Sequence, residues 1–322
     1  MRFEPRRTLL LYSGTSHPEL ADEVAKHLGV VLGEVDIHRF ANGEIYTRFL
    51  TSVRGADTFV IQSPSGGRLN EQMMETLIMI DGLKRASARR ITAVLPFFPY
   101  SRQDKKHLAR EPISSKLMAD LLNTAGCDRA MSIDLHAGQI QGFFDFPFDH
   151  LTAHPLLLDY LQGEIGNDIV FTAPDAGRVG VADRLAKKVG GPLAVVHKRR
   201  DPRVHNEVVA LHVVGDVEGK RCFLVDDMID TGGTIVAAAQ ALMNHGAAEV
   251  YAGATHAVLS GPATQRLQDS PISKVIVTNT LPIPPEKGFE KLAVVSVGTI
   301  IADAVRAVFS DESVSGLFGG EN

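Results

Sequence analysis

Short apolar runs rich in β-branched residues recur along the chain and alternate with longer segments whose apolar residues recur every three to four positions. The short runs are typical of strands buried on both faces, and the longer segments are typical of amphipathic helices. The strand-like runs are 91–95, 169–171, 193–196, 222–225 and 275–277. This alternation predicts an α/β fold with mostly parallel sheets flanked by helices.

Two of the predicted helices have clear ends in the sequence. One begins at Pro18, a residue favoured in the first turn of a helix, and ends at Gly29. The other carries an apolar stripe over 181–189 and ends at Gly190. A separate Asn-Gly pair between apolar flanks in 40–46 predicts a β-hairpin appended to the first part of the chain.

A pattern of helix, glycine, strand and histidine occurs twice. Gly126 precedes His136 by the same ten residues that separate Gly246 from His256, and the copies are 120 residues apart. Such a long offset favours two similar domains over a solenoid, although any two α/β units share part of this pattern. We therefore predict a first domain over 1–150, a second over 151–309 and a polar C-terminal tail over 310–322.

Composition narrows the function classes. The 322 residues carry a net charge of −5, so duplex DNA is an unfavourable partner and we expect no nucleic acid to bind. No apolar stretch is long enough to span a membrane, and the apolar run after the basic start is too short for a signal peptide. The two cysteines form no Cys-x-x-Cys pair, which suits a reducing compartment, and we expect a cytoplasmic protein.

The most informative segment is 225–234, in which a predicted strand is followed by three acids, two glycines and two threonines. Glycines let the backbone approach an anion closely, and a helix N-terminus supplies N–H groups for it. The loop has no lysine, so it suits a monophosphate better than a triphosphate. Asp226 and Asp227 would repel phosphate, so we expect them to face neutral hydroxyl groups. Together these features indicate a ribose 5-phosphate moiety; Asp230 as a helix cap explains only one of the acids.

Other polar groups follow other predicted strands. The charged segment 99–106 lies at a strand's carboxyl end, where ligands bind, although a solvated surface is the alternative. His136 and Asp175 also follow strands and could share a divalent cation, for which oxygen ligands and retained water suit Mg²⁺. Segment 197–206 has four basic residues against one acid and no apolar period. We predict a mobile loop there that closes over phosphates; the alternative is a basic surface patch.

Together these segments resemble the ribose-phosphate pyrophosphokinase family, also called phosphoribosyl diphosphate synthases. The resemblance extends from residue 13 to about residue 318, whereas the loop at 226–234 alone is equally similar to type I phosphoribosyltransferases. The matching stretches are 40–44, 100–106, 134–144, 174–177, 198–200, 226–234 and 313–318.

The resemblance implies transfer of the β,γ-diphosphoryl group of ATP to the C1 hydroxyl of ribose 5-phosphate, with release of AMP. It implies Mg²⁺ as cofactor and a type I phosphoribosyltransferase-like fold in each domain. It also implies a homohexamer in which a neighbouring subunit supplies the hairpin to a shared active site. Phosphate activation and ADP inhibition are common in the family.

The resemblance also assigns roles to individual residues. The catalytic cations are Lys198 and Arg200. The ATP-binding residues are Phe40, Asn42, Glu44, Arg102, Gln103 and Asp104. The metal ligands are His136 and Asp175. The ribose 5-phosphate residues are Asp226, Asp227, Asp230, Thr231, Gly232, Gly233 and Thr234. The regulatory positions are Ser52, Arg54, Ser313, Ser315 and Phe318.

The chain departs from the family pattern at a few positions. Arg178 stands where many members have a second glycine, and its charge could contact a substrate phosphate or simply replace a flexible residue. Ala41 replaces a common serine, and His107 and Leu108 occupy positions that are charged in some members. Two rival functions stay open: a type I phosphoribosyltransferase, and a non-catalytic regulatory subunit of the family.

Overall fold

The structure is a computed structural model that describes residues 7–199 and 210–318. In chain order, the strands of these ranges are β1 (Leu9–Ser13), β2 (Val35–Arg39), β3 (Ile45–Phe49), β4 (Asp57–Ile61), β5 (Arg90–Val94), β6 (Arg129–Ile133), β7 (Phe148–Leu151), β8 (Val170–Ala173), β9 (Leu193–Arg199), β10 (Ala210–Val214), β11 (Arg221–Ile229), β12 (Glu249–Ala257), β13 (Ile272–Thr278) and β14 (Leu292–Val295). The helices are α1 (Pro18–Leu28), α2 (Leu69–Arg85), α3 (Ser114–Ala125), α4 (His154–Ile165), α5 (Val179–Val189), α6 (Gly233–Asn244), α7 (Ala263–Gln268) and α8 (Gly298–Ser310).

The chain forms two compact units. Unit 1 contains Met1–Thr152, Thr280–Pro282 and Ser296–Asn322, and unit 2 contains Ala153–Asn279 and Ile283–Val295. Unit 1 therefore includes α8, which packs against α1, although α8 lies within the predicted second range, 151–309. The apolar face of α8, with Ile301, Val305 and Val308 buried, is the physical reason for this packing.

Unit 1 has a sheet with the strand order β1-β4-β5-β6-β7, in which every neighbouring pair is parallel. The strands β2 and β3 form a separate antiparallel pair, which confirms the predicted hairpin. Phe49 of β3 meets the ring of Tyr12 in β1 edge-on, with ring centroids 4.7 Å apart. This contact attaches the hairpin to the core of the unit, and aromatic pairs of this geometry favour folding beyond their buried area.

Unit 2 has a larger sheet with the strand order β10-β9-β8-β11-β12-β13-β14, parallel except for β10. Alternate residues of β11 enter different apolar clusters on the two faces: Cys222 and Leu224 on one, Phe223 and Val225 on the other. The ring of Phe223 needs Gly253 beside it, because a Cβ at that position would lie 2.3 Å from the ring. Both faces are thus covered, as expected for parallel strands.

The structure confirms the α/β class, the five predicted strand runs and the helices beginning at Pro18 and ending at Gly190. The predicted mobile loop at 197–206 is wrong at its start, because residues 197–199 belong to β9 and pair with β10. The partner strand supplies backbone hydrogen bonds that composition alone did not predict. The remainder of that segment lies outside the described residues.

The two units repeat one order of elements, but not at the glycines from which a duplication was predicted. Gly126 connects α3 to β6, which is fourth in its sheet, whereas Gly246 connects α6 to β12, which follows β11 directly. Both glycines have positive φ, 109° and 85°, so each ends a helix in the same way. The repeated glycine therefore marks the same kind of helix ending in both units. Gly126 and Gly246 do not occupy equivalent positions in the two sheets.

In the part of the chain that the structure describes, no helix is both long and apolar enough to cross a membrane. Cys127 and Cys222 are buried free thiols. Burial raises the pKa of Cys127 to about 12 and that of Cys222 to about 11, so both thiols are protonated at neutral pH.

Candidate active site

The sheet of unit 2 changes its direction of winding between β8 and β11. From β8 the chain passes through α5 to β9 on one side, and from β11 it passes through α6 to β12 on the other side. Loops that follow two such strands diverge and leave a crevice at the carboxyl edge of the sheet. Asp175 and Arg178 lie in the loop after β8, and the predicted phosphate loop follows β11.

Arg178 bridges the two consecutive acids at this edge. Its Nε lies 2.8 Å from Oδ1 of Asp226, and its Nη2 lies 2.7 Å from Oδ1 of Asp227. The three side chains are largely buried, with exposed fractions of 12%, 16% and 6%. The backbone N–H of Asp227 also donates to Oδ1 of Asp226 over 2.8 Å. Consecutive strand residues normally point to opposite faces, yet here both acids contact one guanidinium.

Burial shapes the charge of this pair. Burial raises the pKa of Asp226, and the adjacent Asp227 carboxyl raises it further, whereas the charge of Arg178 opposes the rise. An ionised carboxylate only accepts hydrogen bonds, whereas a protonated one also donates. Arg178 therefore opposes the protonation of Asp226 without cancelling it, because the net shift of the pKa is upward.

The predicted phosphate loop forms the turn between β11 and α6. Gly232 precedes the first turn of α6 with φ of +73°, a backbone conformation that glycine adopts without strain. Thr231 and Thr234 are exposed, Gly233 is the first helical residue, and Asp230 is half-buried. The N-terminal N–H groups of α6 therefore lie close in the chain to exposed threonine hydroxyls. The N-terminus of a helix is a typical place for an anion to bind.

Arg266 is a residue at this loop that the sequence analysis missed. It lies on α7, and its Nη1 donates to the backbone carbonyl of Thr231 over 2.5 Å. The same Nη1 lies 3.5 Å from the position that a Cβ on Gly233 would occupy. The sequence around Arg266 gives little indication of a functional role, because a single arginine on a six-residue helix is not part of a recognisable motif. A cation at this place adds positive charge next to the phosphate loop.

The predicted catalytic cations lie at the limit of the described residues. The backbone of Lys198 is in β9, where its Cα pairs with that of Leu211 in β10. Arg200 lies outside the described residues. The catalytic role of both residues stays a prediction.

In unit 1, the predicted ATP segment 99–106 follows β5. Arg102 and Gln103 are exposed, and Gln103 accepts a hydrogen bond from the hydroxyl of Ser114 at the start of α3 over 2.6 Å. Asp104 is buried instead, and its Oδ2 accepts from Nε2 of Gln139 over 3.1 Å. Asp104 therefore connects this segment to the loop that follows His136, while two neighbours face solvent.

The two predicted metal ligands belong to different units. His136 is half-buried three residues after β6 in unit 1. Asp175 follows β8 in unit 2, and its Oδ1 accepts from the backbone N–H of Gly177 over 2.8 Å, which caps the following turn. Over 7–199 and 210–318, no group of three or more His, Cys, Asp or Glu side chains is arranged to hold a metal ion. A shared metal at these two residues stays a prediction.

The hairpin presents three of the predicted ATP-binding residues, Phe40, Asn42 and Glu44, at its turn, and all three are exposed. The Phe40 ring is 49% exposed and lies edge-on to the rings of His38 and Tyr46, at centroid distances of 5.6 and 5.7 Å. A half-exposed aromatic ring at the tip of a hairpin is a surface on which a planar base can stack.

Comparison with known proteins finds relatives over nearly the whole chain. Residues 9–126 match the family model described as the N-terminal domain of ribose phosphate pyrophosphokinase, and 182–319 match the phosphoribosyl synthetase-associated domain. The ribose-phosphate pyrophosphokinase of Streptomyces coelicolor is 56% identical over 97% of this chain and 96% of its own length. That of Mycobacterium tuberculosis is 55% identical over 98% and 97%. This chain belongs to the ribose-phosphate pyrophosphokinase family.

A solved structure extends the family resemblance to the fold. The phosphoribosylpyrophosphate synthetase of Mycobacterium smegmatis is 54% identical and matches with a TM-score of 0.89, over 94% of this chain and 99% of its own. The family assignment made from the seven matching stretches is confirmed. The roles of individual residues are not tested by these comparisons and stay predictions.

Two of the predicted regulatory residues of this family member, Ser313 and Ser315, line a cavity of about 590 Å³ in unit 1. Arg90 and Arg129 also line it, together with Asp149, which lies 2.6 Å from Nη1 of Arg129. Ser52 and Arg54 are exposed and are not among its lining residues, and the side chain of Phe318 lies outside the described residues. The cavity is therefore a polar pocket lined by both arginines and carboxylates, Asp311 and Glu312 included, and it contains part of the predicted set.

Proposed function

We propose that this chain transfers the β,γ-diphosphoryl group of ATP to the C1 hydroxyl of ribose 5-phosphate, giving 5-phosphoribosyl 1-diphosphate and AMP. The observation that carries the proposal is the pair of carboxylates held by Arg178 beside the glycine loop at the winding reversal of unit 2. This arrangement offers acceptors for sugar hydroxyls next to an anion-binding helix end. Family membership over nearly the full chain supports the same reaction.

In this proposal, the pentose is oriented by two contacts. Backbone N–H groups at 231–234 and the threonine hydroxyls bind the 5-phosphate, and Arg266 stabilises the loop through the Thr231 carbonyl. Asp226 and Asp227 accept hydrogen bonds from neighbouring sugar hydroxyls. Holding the ring at both ends orients the C1 hydroxyl for in-line attack on the β-phosphorus, and such positioning is a large part of phosphoryl-transfer catalysis.

The nucleotide is held by groups from elsewhere in the assembly. Arg102, Gln103 and Asp104 contact ATP, and the hairpin residues Phe40, Asn42 and Glu44 of a neighbouring copy bind adenine. Lys198 and Arg200 neutralise the charge that develops on the transferring group and exclude water, which limits ATP hydrolysis. A homohexamer in the cytoplasm with phosphate and ADP as effectors at the cavity of Ser313 and Ser315 belongs to the same proposal.

The donor chemistry of His136 and Asp175 is compatible with Mg²⁺, which takes one or two protein ligands, retains waters and binds substrate phosphates. Asp175 fits this role because it is partly exposed at the carboxyl edge of the sheet, and the cap of Gly177 uses its Oδ1. When bound with the nucleotide, the cation would reduce the repulsion between diphosphoryl oxygens and the incoming hydroxyl.

The decisive experiment mixes the purified chain with Mg²⁺, ATP and ribose 5-phosphate and measures AMP together with an acid-labile sugar diphosphate. We expect equal amounts of both products from this chain alone. A type I phosphoribosyltransferase would form no AMP from this mixture. A regulatory subunit would form AMP only after a second, catalytic chain is added. Either result contradicts the proposal.

A further inference from the structure

Arg178 contacts both acids of the proposed pentose site, and the two contacts use different nitrogens of its guanidinium. The two ion pairs, at 2.8 and 2.7 Å, use Nε and Nη2, the two donors along one edge of the planar group, whose N–H bonds are nearly parallel. The guanidinium is as buried as the carboxylates it joins. Buried contacts through two nitrogens fix the relative orientation of the charged groups as well as neutralising their charge. An exposed ion pair does neither to the same extent.

The backbone around Arg178 is suited to holding that geometry. Arg178 is the last residue of a short turn that Asp175 caps, and it directly precedes the first residue of α5. It therefore lies in the loop after β8, whereas its two partners lie in β11, the adjacent parallel strand. A side chain that reaches from one strand end to the next determines where the two carboxylates stand relative to each other.

The contacts also decide which carboxylate oxygens are used. The two hydrogen-bonding contacts described for Asp226, from Arg178 and from the Asp227 N–H, both use Oδ1. Without a shared cation, two adjacent buried carboxylates repel each other and turn apart or take up a proton. Either response removes one acceptor.

We propose that Arg178 is a positioning residue that holds Asp226 and Asp227 side by side as acceptors and so makes the site selective for pentose phosphates with two adjacent free hydroxyls. It acts through the two acids and does not bind the 5-phosphate itself. The inference rests on the proposed function, because it takes Asp226 and Asp227 as the hydroxyl acceptors. The selectivity is directed against sugar phosphates that lack one of the two hydroxyls, such as 2-deoxyribose 5-phosphate.

The test compares wild type with Arg178→Gln and Arg178→Lys, and measures kcat and KM for ribose 5-phosphate, for 2-deoxyribose 5-phosphate and for ATP. We expect Arg178→Gln to raise KM for ribose 5-phosphate on the order of 10–100-fold, with KM for ATP changed less than about twofold. The preference for ribose over 2-deoxyribose 5-phosphate should fall by about tenfold, the scale of one lost hydrogen bond. Arg178→Lys should recover part of this preference, because it restores the charge but not the two-point geometry.

Arg184→Gln is the matched control, because Arg184 is an exposed arginine on α5, the helix that Arg178 directly precedes. It should leave all constants and the sugar preference unchanged. Circular dichroism and thermal unfolding identify any variant that fails to fold. If Arg178→Gln is such a variant, direct titration of Arg178→Lys with the two sugar phosphates decides the question.

A double-mutant cycle separates the proposed route from a direct contact. In an Asp226→Asn background, Arg178→Gln should cost much less than in wild type, since residues that act through one another are not additive. If Arg178 instead binds the 5-phosphate, both sugars lose affinity equally and the effect persists in the Asp226→Asn background, which overturns the inference. A wild type that forms no AMP from ribose 5-phosphate would overturn the proposed function instead.

Discussion

The sheets of the two units share their element order but differ in how they wind. In unit 1 each parallel strand is added on the same side of the one before, from β1 through β7. In unit 2 the chain adds β9 and β10 on one side of β8 and the strands from β11 onward on the other. The unit with the reversal carries the Arg178 cluster and the glycine loop at its carboxyl edge. The difference indicates that the reversal, not the repeat, creates the ligand crevice.

The hairpins of the two units show the same contrast. In unit 1, β2 and β3 pair only with each other within the described residues, and their turn is exposed. In unit 2, β9 pairs with β8 and so extends the main sheet, which brings Lys198 into the sheet's edge region. The turn of one hairpin is exposed, whereas the strands of the other belong to the main sheet of their unit. The predictions below test this division between the units.

The largest effect is expected at Lys198 in unit 2. Lys198→Ala should lower kcat by roughly 10³ with little change in either KM, because the contact forms mainly in the transition state. Lys187→Ala is the control, since Lys187 is an exposed lysine on α5 that pairs with Asp183. Steady-state kinetics with both substrates measures the effect. A loss of tenfold or less would remove Lys198 from the catalytic role.

A matched pair of substitutions tests whether each unit binds its own substrate. Asp226→Asn in unit 2 should raise KM for ribose 5-phosphate on the order of 10–100-fold, because it removes a buried acceptor from the Arg178 pair. Asp104→Asn in unit 1 should raise KM for ATP instead, since it loosens the segment connected to Gln139. Titration calorimetry with each substrate alone checks the assignment. If both variants weaken the same substrate, the division between the units is wrong.

A smaller effect is expected in the phosphate loop. Gly232→Ala places a side chain at φ of +73°, which costs about 1–2 kcal/mol for a residue other than glycine. The KM for ribose 5-phosphate should rise about tenfold as the loop relaxes. Gly180→Ala in α5 is the control, because a Cβ there meets only the end of the Arg184 side chain at 3.9 Å. Equal effects of both variants would contradict a special role for the loop conformation.

The smallest effect concerns how unit 1 holds α8. Asp311 pairs with Arg7 and Arg90, and these hydrogen bonds lower its pKa to about 2, from an ordinary value of 3.8. A carboxyl with a lowered pKa stabilises the folded state above its ordinary pKa, and this stabilisation is lost as pH falls toward 2. Asp311→Asn should therefore lower Tm by about 1–2 °C at neutral pH, with the difference from wild type shrinking between pH 4 and pH 2.

Asparagine is the suitable replacement at Asp311, because it tolerates the φ of 58° found there and removes only the charge. Asp303→Asn, which breaks an exposed pair with Arg306 on the same helix, is the control. Thermal unfolding over this pH range measures both variants. A Tm difference between wild type and Asp311→Asn that stays constant down to pH 2 would show that the ion pairs do not anchor the tail.

Local sequence by itself determined the class of the fold, most element positions and the family. β-branched runs predict buried strands, Pro18 and Gly29 mark helix ends, and the acids and glycines of 225–234 predict a phosphate loop, because each depends on neighbouring residues only. The tertiary structure decided that α8 joins unit 1, that β9 extends to Arg199 and that Arg178 and Arg266 meet the site. These features arise from contacts between residues 11 to about 280 positions apart, from the Arg199–Ala210 strand pair to the Arg306–His27 hydrogen bond. Local sequence patterns do not determine which distant residues come into contact, because those contacts depend on the strand order and packing of the folded chain.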